Sequence, residues 1–132
     1  METLKVSRLY KDFDMSFGVN AVTGDVNKKL DVNAVKQSVR NLLLTNLFER
    51  PFQPLLGSSL RGLLFEPMTM VTALSIEKSV SNLLKAYEPR AELINIKANP
   101  QYDKNSYELS VTFKVVGFNS PEILTQTLQR LR

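Results

Sequence analysis

The sequence predicts an α+β domain in which helices pack on one face of a small antiparallel sheet. Apolar residues recur at helical spacing over residues 32–45 and again over residues 69–87. From residue 92 onward the pattern changes to an alternation of apolar and polar residues, interrupted by a turn signal at residues 103–105. Helical stripes followed by a strand hairpin indicate one layer of helices on one sheet.

Residues 1–30 are predicted to form an N-terminal arm, and residues 31–132 a single domain. Residues 1–16 mix charged and apolar side chains without a regular period, and the sequence Thr-Gly-Asp at residues 23–25 indicates a turn. Asp31 is predicted to cap the first helix, because an Asp side chain accepts hydrogen bonds from the free N–H groups at a helix N-terminus.

The connection after the first helix reads ERPFQPLLGSSLRGLLFEP. Its prolines exclude a helix interior, its first glycine indicates a turn, and a short helical turn is predicted near residues 60–64. Arg50 and Phe52 therefore lie in a segment of restricted backbone. Two interpretations stay open: either the aromatic ring fills the core, or the segment is a rigid loop shaped for a partner.

The second long helix is predicted to end at Glu88-Pro89-Arg90, because proline disfavours helical geometry in the residue before it. One interpretation is a helix stop with a surface ion pair, worth about 0–1 kcal/mol. The other is a charged clamp for a partner, since Arg binds carboxylates bidentately and is enriched in interface hot spots. A clamp predicts that Arg90→Glu leaves the fold intact and prevents partner binding.

Residues 92–102 and 107–116 are predicted to form an antiparallel hairpin. The first strand places Ile94, Ile96 and Ala98 on one face, and Pro100 indicates an edge position because it has no N–H to donate. In the second strand, apolar and polar residues alternate without interruption. Its apolar face carries Tyr107, Leu109, Val111, Phe113 and Val115.

The segment after the hairpin is predicted to be a last helix, with Ser120 as its cap and Pro121 at its first position. Only one partner is then left for the strand at residues 107–116. Its second edge is predicted to be free for an added strand, unless residues 17–22 cover it.

The composition excludes most catalytic machinery. The 132 residues include no Cys and no His, which excludes disulfides, thiolate metal sites and His-dependent triads. The net charge of +4 comes from 17 basic and 13 acidic residues that are dispersed, and no apolar run approaches about 20 residues. No cofactor, nucleic acid or membrane is therefore expected. Paired carboxylates among Glu49, Glu66 and Glu88 keep a cell-wall muramidase open as an alternative.

The order of motifs resembles one known family closely. The stretch LLLTNLFERPFQPLLGSSLRGLLFEP is followed by a helix ending in YEPR, a hairpin and the segment NSPEIL. This order is similar to the baseplate wedge and tail sheath-initiator family of contractile-tailed bacteriophages, which has relatives in type VI secretion baseplates. The resemblance covers residues 31–132 and implies a structural protein whose fold is like the interlocking domain of the sheath protein.

The resemblance also implies partners, namely wedge core-bundle proteins, the tail sheath protein, and tail tube or hub proteins. The Glu-Pro-Arg element of the family matches Glu88, Pro89 and Arg90, which implies that these residues grip the core bundle. Arg50 and Phe52 are further candidate contacts, and the strand at residues 107–116 is the expected docking strand for the sheath. The implied location is the virion tail baseplate, with the host cytoplasm during assembly. A baseplate subunit of a type VI system or phage-like particle is the other alternative.

Overall fold

The computed structural model describes residues 11–13, 18, 21–22 and 28–130. In chain order the elements are β1 (Lys11–Phe13), β2 (Lys28–Leu30), α1 (Val32–Leu44), α2 (Leu60–Leu64), α3 (Met70–Tyr87), β3 (Ala91–Gln101), a 3₁₀ turn (Tyr102–Lys104), β4 (Ser106–Val115) and β5 (Pro121–Gln129). The predicted α+β class is confirmed. Most of the predicted arm lies outside the described residues, although β1 and β2 pair as a short antiparallel ladder.

The helices follow the predicted apolar stripes and cover one face of the sheet. α1 buries the five residues Ala34, Val35, Val39, Leu42 and Leu43. α3 buries Thr72, Ala73, Ile76, Val80, Leu83 and Leu84. Between the helices and the sheet these side chains meet the apolar face of β4, so the core has one helical and one strand layer. No helix in the described part of the chain is long and apolar enough to cross a membrane.

The helix ends differ in how they are capped. The Thr69 side chain accepts a hydrogen bond of 3.1 Å from the Thr72 N–H, and α3 begins one residue later. Asp31 stands at the cap position of α1, but its φ is 53° and its side chain makes no capping hydrogen bond. The predicted position of the first helix start is thus right, and the predicted capping contact is wrong.

The predicted last helix is wrong, because residues 121–129 form β5 and pair antiparallel with β4. Leu124 and Leu128 are buried, and their spacing of four residues fits a strand face as well as a helix stripe. Pro121 is the first residue of β5, a position at which a strand tolerates proline. Pairing with β5 satisfies the backbone N–H and C=O groups along the second edge of β4, whose apolar side chains are fully buried.

The sheet order is β3-β4-β5, so β4 is central and has no free edge. The prediction that the strand at residues 107–116 leaves one edge open is therefore wrong. β3 is an edge strand, as Pro100 predicted. A register shift between Leu93 and Asn95 turns Ile94 outward, so Ile94 does not share a face with Ile96 and Ala98 as predicted.

Residues 45–58 form a loop that is closed at its base. The Ser58 N–H donates to the Thr45 carbonyl over 2.8 Å, and Asn46 and Ser58 form an isolated bridge. Gly57 lies at the base with a φ of 136°, and a Cβ there would stand 2.7 Å from the Asn46 carbonyl oxygen. Glycine is required at this position both for its backbone conformation and for the close approach.

Gly57→Ala is expected to lower the free energy of unfolding by about 1–3 kcal/mol, because the left-handed conformation and the contact with Asn46 are both strained by a methyl group. Gly62→Ala in α2 is the matched control, since nothing lies within 4 Å of its Cβ position. Alanine at that position is expected to be neutral or to stabilise by about 0.5–1 kcal/mol. Urea denaturation of both variants gives the comparison, and equal losses would contradict the assignment.

Candidate functional site

Glu88 lies in a buried corner between α1, α3 and β3. Only 2% of the residue is exposed. The Arg90 guanidinium donates from Nε to Oε1 over 2.7 Å and from Nη2 to Oε2 over 3.0 Å, and the Ser38 hydroxyl also donates to Oε2. Ser38 comes from α1, 50 residues earlier in the chain. The carboxylate therefore joins the helical layer to the end of α3 and the start of β3.

The backbone of the corner is held by its own hydrogen bonds. The Glu88 N–H donates to the Leu84 carbonyl over 2.9 Å and completes the last turn of α3. The Ala91 N–H donates back to the Glu88 carbonyl over 3.2 Å, and the Val116 N–H donates to the Arg90 carbonyl over 2.9 Å. Pro89 lies exposed at the turn between helix and strand. The turn is thereby attached to the sheet on one side and to α3 on the other.

The environment of Glu88 favours its charged form. Burial alone would raise the pKa of this carboxyl, but the hydrogen bonds from Arg90 and Ser38 and the charge of Arg90 outweigh burial and hold the pKa below its ordinary value of 4.5. A hydrolytic general acid needs the opposite shift, a pKa raised toward neutrality. Glu88 is thus unsuited to the acid role in the muramidase alternative.

This geometry corrects the clamp hypothesis. Glu88 is not presented to a partner, because its two carboxylate oxygens are already occupied within the fold. Arg90→Glu would place a second carboxylate beside a buried one, so the expected intact fold does not follow. Ser38 completes the arrangement, and no local sequence signal marks it, because its partner is distant in the chain.

The loop at residues 45–58 resolves the two interpretations of Phe52. The ring is 97% exposed and does not fill the core, so that interpretation is wrong. Arg50 is also exposed. Phe48 is exposed with a φ of 64°, a left-handed conformation that bulky residues rarely adopt. The loop therefore displays aromatic side chains on a backbone that is held in a costly conformation.

Tyr87 links this loop to the Glu88 corner. Its hydroxyl donates a hydrogen bond of 2.8 Å to the Leu55 carbonyl, and Glu88 is the next residue in the chain. The structure thus brings together the two partner-binding elements that the sequence predicted separately. We call residues 45–58 together with Pro89 and Arg90 the loop–corner surface.

The predicted docking strand has a different role. Its five apolar residues have no exposed surface and belong to the core: Tyr107, Leu109, Val111, Phe113 and Val115. Burial also raises the pKa of the Tyr107 hydroxyl. A partner can reach neither these side chains nor the edges of β4. Within the described part of the chain, no group of three or more acidic side chains is placed to hold a metal ion.

Comparison with known proteins identifies the family. The family described as Baseplate wedge protein gp25 matches residues 30–119, which is well over half of the chain. The chain belongs to this family. The Baseplate wedge protein gp25 of Enterobacteria phage T4 is 29% identical over 121 residues, which are 92% of this chain and 89% of that protein.

Solved structures agree with this assignment. A Geobacter sulfurreducens protein that is called a tail lysozyme has a TM-score of 0.70 at 24% identity, over 74% of this chain and 89% of its own. This likeness shows only that the two proteins share a fold. A chain of the post-contracted pyocin R2 baseplate has a TM-score of 0.60 at 25% identity, over 76% of this chain and 98% of its own. This gp25-family chain is a baseplate wedge protein of contractile phage-like tails and assembles with other baseplate proteins.

Removing the cation beside the buried Glu88 carboxylate should be costly. Arg90→Ala leaves the Glu88 carboxylate without its cation and is expected to lower the free energy of unfolding by about 3 kcal/mol at pH 7. The matched control is Lys36→Ala, which breaks an ion pair of 2.8 Å with Glu122. Lys36 and Arg90 are similarly exposed (31% and 30%), but the Glu122 side chain is 26% exposed and that of Glu88 only 3%. That change should cost about 0–1 kcal/mol. Equal losses, measured by chemical denaturation, would show that the Glu88 corner is not a structural tie.

The same ion pair predicts an acid dependence. Because the folded-state pKa of Glu88 lies below 4.5, its contribution to stability is present above pH 4.5 and is lost as the pH falls through the folded value. Glu88→Gln should flatten this part of the curve of stability against pH. If the stability of the unmodified chain and that of Glu88→Gln depend on pH in the same way below pH 4.5, the contribution assigned to Glu88 is wrong.

Proposed function

We propose that this wedge subunit binds the helical core bundle of the wedge through the loop–corner surface and initiates the tail sheath at the outer edge of β5. The open edge of β5 is the observation that carries the sheath proposal. The corner and loop carry the proposal for the core bundle. Tail tube or hub proteins are further expected neighbours, and assembly is expected to take place in the host cytoplasm.

The outer edge of β3 is closed to an added strand. The Ala98 N–H, which points away from β4, donates to Glu77 Oε1 on α3 over 2.9 Å. Pro100, two residues further, has no N–H. The register shift between Leu93 and Asn95 interrupts the regular spacing of the remaining edge groups. These are the devices by which natural sheets protect an edge from pairing.

The outer edge of β5 is less protected, because its proline, Pro121, stands at the first residue of the strand and leaves the rest of the edge with its N–H groups. The Arg130 N–H donates to the Asn105 carbonyl over 3.0 Å, and the β4–β5 ladder has no register shift. Backbone groups alternate along a strand, so the N–H groups of Ile123, Thr125 and Thr127 point away from β4. All three residues are exposed, and no described strand pairs with this side of β5. The Thr127 carbonyl accepts an exposed hydrogen bond of 3.3 Å from Gln126 Nε2, which an added strand would have to displace. A row of outward backbone groups at a sheet edge is a template for strand addition.

A groove beside this edge supports the proposal. It has a volume of about 350 Å³ and is bounded by the end of α1, by α2 and by residues 127–129 of β5. Apolar side chains line it together with one exposed arginine: Leu43, Leu44, Leu60, Leu64, Leu128 and Arg61. An added strand directs every second side chain toward this groove, which would provide side-chain specificity next to the backbone pairing.

The loop–corner surface fits a partner because little of it has to be ordered on binding. The loop is closed at its base, and Tyr87 holds Leu55 against the end of α3. Binding therefore costs little backbone entropy in the segment that carries the exposed Phe52 and Arg50. Aromatic and arginine side chains are the usual anchors of protein interfaces. Glu88 supports this surface from inside by holding the turn in place.

No hydrolytic activity is proposed. The chain has no His, and the buried carboxylate at the corner has a lowered pKa. The Glu49 carboxylate accepts a hydrogen bond of 2.8 Å from the Asn46 N–H and supports the loop. The relative in phage T4 has a structural name, and the protein called a tail lysozyme shares the fold only.

Phe52→Ser tests the loop–corner surface. Because the ring is 97% exposed, the substitution should change the melting temperature no more than an ordinary surface substitution does. Loss of an interface anchor should reduce binding to purified wedge core bundle by about tenfold or more. Tyr102→Ser is the control, since Tyr102 is an exposed aromatic in the 3₁₀ turn between β3 and β4. If both variants bind the bundle equally well, the loop is not the contact.

Thr125→Pro tests strand addition at β5. The proline removes an outward N–H without touching the β4–β5 ladder, so the protein should fold and join baseplates but should not nucleate sheath of normal length. Thr125→Ala keeps the donor and should behave as the unmodified chain. Gln126→Pro removes an inward N–H and should instead lower the melting temperature. Normal sheaths on baseplates that carry Thr125→Pro would exclude this edge as the site of addition.

A further inference from the structure

A groove of about 420 Å³ lies between α3 and β3. Its helical wall consists of Leu74, Glu77, Lys78, Ser81 and Lys85, and its strand wall of residues 93–96. At 3.6 residues per turn, Leu74, Lys78, Ser81 and Lys85 are roughly 120–180° around α3 from Tyr87. The groove is therefore separate from the loop–corner surface. It also lies at the opposite edge of the sheet from the open edge of β5, because β4 stands between β3 and β5.

Both walls expose large apolar side chains. Leu74 on α3 is 59% exposed, and Ile94 on β3 is 57% exposed. Ile94 faces outward because of the register shift between Leu93 and Asn95. With a regular ladder, the alternation of the strand would direct Ile94, Ile96 and Ala98 to one face. Strand irregularities of this kind commonly redirect a side chain beside a functional site.

The rim of the groove is basic. Lys78 and Lys85 are two helical turns apart on α3, and neither forms a salt bridge with any residue that the structure describes. Glu77 does not compensate them fully, because its Oε1 accepts the Ala98 N–H and its carboxylate is directed to the strand. Ser81, between the two lysines in sequence, is small and leaves the middle of the groove open. An occupant with carboxylates along its side would meet both lysines.

The backbone groups at the outer edge of β3 determine what kind of segment can bind in the groove. An added strand would find the Ala98 N–H already engaged, no donor at Pro100 and an interrupted register at Ile94. A helix needs no backbone donors, since it binds a groove through apolar side chains on one face. A second copy of this chain, docked symmetrically, would bring its own lysines toward Lys78 and Lys85.

We propose that this groove binds an amphipathic helix of another baseplate subunit, whose apolar stripe lies on Leu74 and Ile94 and is bordered by Asp or Glu side chains that meet Lys78 and Lys85. The inference rests on the position of this chain in a baseplate wedge. It uses neither the loop–corner surface nor the edge of β5, so those proposals can fail or hold independently.

The first test uses single cysteines, because the chain has none of its own. Ile94→Cys should react with a small maleimide in the free chain and about tenfold or more slowly in assembled baseplates. Lys104→Cys, in the exposed 3₁₀ turn, should react at similar rates in both states. If Ile94→Cys chains join baseplates and stay fully reactive, the groove is not occupied and the inference is wrong, while the proposed function stands. If the unmodified chain itself does not join baseplates, the proposed function fails and this inference fails with it.

A photo-crosslinker attached to Ile94→Cys identifies the occupant. In assembled baseplates it should capture a peptide of a different subunit with apolar residues at helical spacing and flanking acidic residues. Capture of a second copy of this chain, or of a strand segment, would overturn the inference. Charge reversal gives an independent measurement: Lys78→Glu combined with Lys85→Glu should reduce incorporation by about tenfold or more, and Lys104→Glu should leave it unchanged. Equal incorporation would exclude an acidic partner.

Discussion

The complete burial of the apolar face of β4 is the constraint on which the rest of the structure depends. Five side chains of this strand have no exposed surface, and the helical layer lies directly on them. A strand buried in this way must have both rows of backbone groups paired, since an unpaired buried N–H or C=O costs about as much as a lost hydrogen bond. One row is satisfied by β3 and the other by β5. The position of β4 therefore forces the last segment of the chain into the sheet.

The second constraint is the charge at the end of α3. A buried carboxylate is tolerated only when it is ion-paired and hydrogen-bonded, and Glu88 receives donors from Arg90 and from Ser38 on α1. The pair thus sets the angle at which the chain leaves α3 and enters β3. It also fixes the position of Tyr87, whose hydroxyl holds the loop at residues 45–58. A motif that looks like a surface contact in sequence is in this way an internal support for a neighbouring surface.

These two constraints explain where partners can bind. The core strand has no free edge and no free side chains on its apolar face, so contacts are left to the periphery. Three peripheral features differ in chemistry: the loop offers exposed aromatic side chains, β5 offers backbone donors and acceptors, and the groove beside β3 offers apolar walls with a basic rim. A baseplate subunit that contacts several different proteins needs distinct surfaces of this kind, because each surface can then select one partner.

The sequence by itself determined the α+β class, the two long helices, the hairpin and the edge position of β3. These follow from local rules: the apolar period of α1 and α3, the helix stop before Pro89, and the missing N–H of Pro100. Family resemblance added the baseplate assignment. Tertiary structure alone decided the state of residues 121–129, because a spacing of four between Leu124 and Leu128 suits both periods and only the unsatisfied edge of β4 selects the strand. It alone also decided that Glu88 is internal, since the donor that completes its site is 50 residues away in sequence and meets it only when α1 packs against the end of α3.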